Sequence, residues 1–129
     1  MTTSPSTSLY PQRAAFLLCL VSVLVLALMP TSPMPPSWWD KANHVAAFTV
    51  LAVLGRWSYP GRNAKVLLWL LAYGCLIEVL QATLTATRSA ELRDVVADGA
   101  GLLLGWQLTR VIRQVHQYAT AGRPGSGSP

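Results

Sequence analysis

The stretch Trp38–Phe48, WWDKANHVAAF, decides how the chain is read. Two tryptophans lead into Asp40, Lys41, Asn43 and His44, and an apolar run follows directly. Asp40 and His44 are four residues apart and Lys41 and His44 three, so on a helix both share a face with His44. Ser37 and Asp40 form an S-x-x-D pattern, a helix start signal ahead of an apolar run. The stretch is therefore the polar mouth of a hydrophobic helix.

The surrounding composition points to a membrane. Hydrophobic residues make up 52% of the 129 residues and charged residues only 12%. A soluble domain carries about 25% charged residues, so this chain has too little polar surface. The net charge of +5 does not indicate nucleic acid. Its basic residues flank apolar runs and form no aromatic-interleaved cluster. Cys19 and Cys75 both lie in apolar segments without metal or redox spacing, and read as small hydrophobes.

Four apolar segments are predicted as helices, at about 14–29, 38–57, 64–84 and 94–113. The first is ~24 Å long at 1.5 Å per residue, slightly short for a ~30 Å hydrocarbon core. Arg13 and its apolar run would suit a signal peptide. However, LALMPTSP offers no small-residue cleavage site, so this segment is read as a retained helix. PTSPMPPS (30–37) is an extended linker and SYPGRN (58–63) a turn. The expected fold is all-α: an integral membrane bundle of four transmembrane helices over 13–116. A disordered cytoplasmic lead (1–12) and tail (117–129) flank it.

Four spans put both termini on one side. That side holds Arg13, Arg56, Arg62, Lys65, Arg110, Arg113 and Arg123, against Lys41, Arg88 and Arg93 on the other. The positive-inside rule then makes the termini cytoplasmic. All five acids, Asp40, Glu78, Glu91, Asp94 and Asp98, fall at the outer end. A charge at membrane depth costs at least ~2.5–3.5 kcal/mol, so such a cluster must pair, meet water or do work.

Helical spacing links these acids. Glu78 and Gln81 are three residues apart, and Asp94 and Asp98 four. Gly101 and Gly105 continue the Asp98 face as a GxxxG, a packing motif for close helix approach. The expected site is one outer-leaflet polar pocket among helices two, three and four. Its expected ligand-binding residues are Asp40, Lys41, His44, Glu78, Gln81, Arg88, Asp94 and Asp98. Trp38, Trp39, Trp57 and Tyr59 read as interfacial belts.

The motifs D-K-x-x-H at 40–44, E-x-x-Q at 78–81, Arg88, and D-x-x-x-D-x-x-G-x-x-x-G at 94–105 resemble the VanZ-like family. The resemblance covers roughly residues 36–110. It implies a small multi-spanning protein of the bacterial inner membrane, named for an accessory glycopeptide-resistance protein. It singles out Asp40, Lys41, His44, Glu78, Gln81, Arg88, Asp94, Asp98 and Gly101. The family often has Asn where this chain has Asp98, so this pocket carries one more potential negative charge.

Three functions fit. An envelope binding protein would hold an amphiphile: a lipid head group, a lipid-linked cell-wall precursor or a glycopeptide. A membrane enzyme would use His44, Glu78 or Asp98 as acid or base on such head groups. A structural bundle would use the same residues to knit helices or to form homo-oligomers. The carboxylate–histidine cluster could also hold a divalent metal, but no compact metal signature and no cofactor motif are legible, and membrane lipids are the expected surroundings.

Overall fold

The computed structural model describes residues 8–30, 37–86 and 90–122. Four helices account for nearly all of them: α1 (Tyr10–Leu28), α2 (Ser37–Ser58), α3 (Asn63–Leu84) and α4 (Leu92–Ala121). The helices α1, α3 and α4 are long and apolar enough to cross a membrane. By the same measure α2 is not, despite its 22 residues. Asp40, Lys41, Asn43, His44 and Arg56 lower its hydropathy.

Packing explains how α2 tolerates those residues. It touches each of the other three helices, whereas α1 and α4 have no close backbone approach to one another. A stripe of His44, Phe48, Leu51, Ala52, Gly55 and Arg56, recurring at helical spacing, is buried. Large apolar side chains on the outer helices, such as Leu68, Trp69 and Leu103, are exposed and face the surroundings. Lipid is as apolar as leucine, so burial of apolar surface does not drive helices together there; close packing and polar ties do.

The closest packing is between α2 and α4. A Cβ on Gly101 would lie 2.5 Å from the Val45 carbonyl oxygen. A Cβ on Gly105 would lie 2.6 Å from both the Thr49 carbonyl oxygen and the Ala52 Cβ. The expected GxxxG face is thus the seam where α4 meets α2. Thr49 adds a tie across it, its Oγ1 donating to the carbonyls of Val45 (2.7 Å) and Gly101 (3.1 Å).

The bundle runs up-down-up-down. Tyr73 donates to the Leu20 carbonyl (2.6 Å) and Gln81 to the Ala27 carbonyl (2.9 Å), so α1 and α3 run the same way. Arg13 Nε donates to the Ser58 carbonyl, which puts the start of α1 beside the end of α2. The α2–α3 turn closes through Gly61, whose φ of 79° is left-handed and suits glycine.

Two boundaries differ from the sequence reading. Helix α1 starts at Tyr10, so residues 10–12 are not disordered lead. Pro11 sits in the first turn, where its missing N–H is no loss. Helix α4 continues to Ala121, past the expected end at 113. No Gly or Pro interrupts residues 114–121, and the helix stops where Gly122 donates to the Tyr118 carbonyl. At 30 residues α4 is ~45 Å long, and from Arg110 onward every described residue is exposed. The lead 1–7, the linker 31–36, the Ser37 side chain, Arg88 and the tail 123–129 lie outside the described residues.

Candidate functional site

The end formed by the start of α2, the end of α3 and the start of α4 gathers every acid in the chain. Three ties organise it. His44 Nδ1 and Asp98 Oδ1 are 2.7 Å apart, with Asp98 fully buried and His44 9% exposed. Lys41 Nζ lies 3.3 Å from Glu91 Oε2 and 3.6 Å from Asp94 Oδ1. Glu78 Oε2 accepts the backbone N–H of Glu91 at 2.9 Å, pinning the segment before α4 onto α3.

Helix geometry makes the His44–Asp98 pair. His44 lies two turns into α2, and Asp98 lies on the stripe Asp94–Asp98–Gly101–Gly105 that α4 turns toward α2. The glycines bring α4 close enough for the two side chains to meet. Opposite, Gly74 on α3 leaves room for the second carboxylate oxygen: a Cβ there would collide with Asp98 Oδ2. As a carboxylate Asp98 only accepts, so the His44 ring donates through Nδ1 and keeps the Nε2 lone pair.

Several carboxylate oxygens remain without a hydrogen bond while sealed from solvent: Glu78 Oε1, Asp94 Oδ1 and Asp98 Oδ2. Among the described residues the cations at this end are Lys41 and the exposed Arg93. Negative charge is therefore in excess here. Arg13, Arg56, Arg62, Lys65, Arg110 and Arg113 are at the opposite end, where Arg56 is buried and tied to Asn63, Trp106 and Thr109.

The polar end opens onto a cleft of about 440 Å³ between α1, α2 and α3. Asp40, Asn43 and His44 line one part of it. Val23, Leu26 and Ala27 of α1, Ala47 and Phe48 of α2, and Ile77 of α3 form apolar walls. The cleft is thus amphipathic, with a hydrogen-bonding rim and a greasy interior.

The sequence-derived site residues fall into two groups around this cleft. Asp40 and His44 line it. Lys41, Glu78, Asp94 and Asp98 stand behind them in the network just described. Gln81 is 2% exposed and spends its amide N–H on Ala27, so it fastens α1 to α3. Gly101 and Gly105 pack against α2. Asn43, Gly74, Arg56 and Thr109 were not among the expected ligand-binding residues. Gly74 is four residues before Glu78 and Thr109 four after Gly105, so each lay on a stripe already legible.

Together these features define the class: a small helical membrane protein with a buried carboxylate–histidine network beside an amphipathic cleft. The sequence model of the VanZ/LLP1 family matches residues 5–113, and the chain belongs to that family. Comparison with curated proteins and with solved structures found no match.

Proposed function

We propose that this protein binds a lipid-linked amphiphile of the bacterial envelope, head group at Asp40, Asn43 and His44 and tail in the apolar part of the cleft. The observation that carries this reading is the cleft itself, in which a polar rim and apolar walls share one opening between α1, α2 and α3. Ligand sites are commonly concave and mostly apolar, with a few placed polar groups. The segregation of basic residues supports an inner-membrane orientation with cytoplasmic termini and the cleft in the outer leaflet. A reporter fused after Pro129 checks this; activity outside the cell membrane contradicts it. A link to glycopeptide resistance follows if the amphiphile is a cell-wall precursor or a lipid-bearing glycopeptide.

Ala47 tests the cleft. A tryptophan there would occupy the apolar part of the cleft. Protein purified in mild detergent and washed is expected to retain a specific amphiphile by mass spectrometry. Ala47→Trp is expected to lose it at least tenfold while keeping its helical signal. Equal retention by both proteins would remove the cleft from the account.

The buried His44–Asp98 pair favours one second reading, an enzyme acting on lipid-linked head groups. A histidine oriented by a carboxylate and facing a ligand cleft has the parts of a general acid or base. Glu78, the other candidate, instead holds the Glu91 N–H. Incubation of the purified protein with lipid-linked precursors separates the readings: altered products support catalysis, and unchanged precursors support binding alone.

A further inference from the structure

We infer that Asp40, His44 and Asp94 form a site for a divalent transition-metal ion of the Zn²⁺ or Mn²⁺ type. Each offers one ligand atom, and these atoms all lie within 4.8 Å of one another. Ligands at ~2.0–2.2 Å from an ion stand up to about 4.4 Å apart, so small side-chain rotations close the set. Imidazole with carboxylates is a borderline donor set that suits such metals.

Two observations single out this cluster from ordinary surface acids. Asp94 is 4% exposed, and its Oδ1 is sealed from solvent without a hydrogen bond. A buried carboxylate oxygen left so is expensive unless a cation meets it. Lys41 Nζ stands 3.6 Å from this oxygen but is closer to Glu91, at 3.3 Å. Second, the Asp98 carboxylate engages His44 Nδ1 and leaves Nε2 as the free donor atom. A carboxylate behind the far ring nitrogen is the usual support for a metal-binding histidine. Here that support is fully buried and pressed against Gly74.

The spacing of the sequence hides the site because its ligands come from two helices. Asp40 and His44 are one turn apart on α2, and Asp94 arrives from α4. Three protein ligands leave coordination positions open, as catalytic and substrate-binding metal sites do. Asp40 and His44 also line the cleft, which places two of the three ligands beside the amphiphile site. This step rests on the amphiphile reading: the head group would carry an anionic oxygen, phosphate-like in chemistry. Such a head group would otherwise meet a surplus of carboxylates.

The test uses untagged full-length protein, stripped with EDTA and titrated with Zn²⁺ and Mn²⁺ in the absence of added lipid. One ion per chain is expected, with affinity lowered at least tenfold in Asp94→Asn and His44→Gln. Asp40→Asn, in a half-buried position that leaves the buried pair intact, should lose as much. Lys41→Gln should bind more tightly, because a like charge leaves. His116→Gln, on the exposed end of α4, should match the wild type. No stoichiometric ion, or equal binding by folded Asp40→Asn, overturns the site. Retained amphiphile is then measured with and without EDTA. Loss on chelation supports the metal-held head group. Full retention with metal removed overturns that step while leaving the amphiphile reading standing. Metal bound with no amphiphile in either state defeats the amphiphile reading alone.

Discussion

His44→Ala is expected to destabilise the folded bundle by about 3 kcal/mol, because it strands a buried carboxylate without its hydrogen-bond donor. Asp98 is fully buried, and His44 is its one hydrogen-bonding partner among the described residues. Without the ring, Oδ1 joins Oδ2 as an unsatisfied atom, and the buried carboxylate is left without a donor. An ordinary interhelical hydrogen bond in a membrane protein is worth only ~0.6 kcal/mol, so the size of the loss is informative. The double variant His44→Ala/Asp98→Ala should recover at least half of it, because the orphaned charge goes too. Helical circular dichroism during denaturation in mild detergent would read both. A loss near ~0.6 kcal/mol in the single variant, with no recovery in the double, would show the pair to be an ordinary polar contact.

Arg56→Ala is expected to cost about 2–4 kcal/mol, since hydrogen bonds to a charged group are worth ~1.5–3 kcal/mol. Arg56 is 3% exposed and joins three elements at the far end of the bundle. Its Nε donates to Asn63 Oδ1 at 3.1 Å, and its Nη1 to the Trp106 carbonyl at 2.8 Å and to Thr109 Oγ1. One planar fork thus ties α2 to the start of α3 and to α4. Arg56→Lys should recover little, because an ammonium cannot address those acceptors from one plane. Unfolding midpoints of the three proteins check this; full rescue by lysine would show that charge alone matters there.

The fold was legible because membrane helices announce themselves by composition. Apolar runs, the Pro60–Gly61 turn and the GxxxG of α4 gave four helices and their seam without any long-range information. The ends were harder. Pro11 falls in the stretch expected to be a disordered lead but sits where a helix accepts it, and residues 114–121 lie past the apolar run yet contain nothing that stops a helix.

The site was legible as a charge pattern and not as a wiring diagram. All five acids share one end because four alternating helices allow only two ends. Which acid meets which base depends on helix rotation. That rotation is set by Gly101, Gly105 and Gly74 at contacts no linear spacing displays. Gln81 shows the difference: its motif suggested a ligand contact, yet its amide holds α1. Arg56 shows the converse, since it counted only as a flanking charge until α4 supplied Thr109 and the Trp106 carbonyl beside it.

The proposed occupant of the α1–α2–α3 cleft is an amphiphile from the outer leaflet. The most direct measurement delivers a lipid with a photoreactive tail to the outer leaflet of vesicles containing the protein, then maps the labelled residues by mass spectrometry. Labelling concentrated on Val23, Leu26, Phe48 and Ile77, and suppressed by Ala47→Trp, is the predicted result. Labelling spread evenly over the exposed faces at Leu68, Trp69 and Leu103, and indifferent to Ala47→Trp, would contradict it.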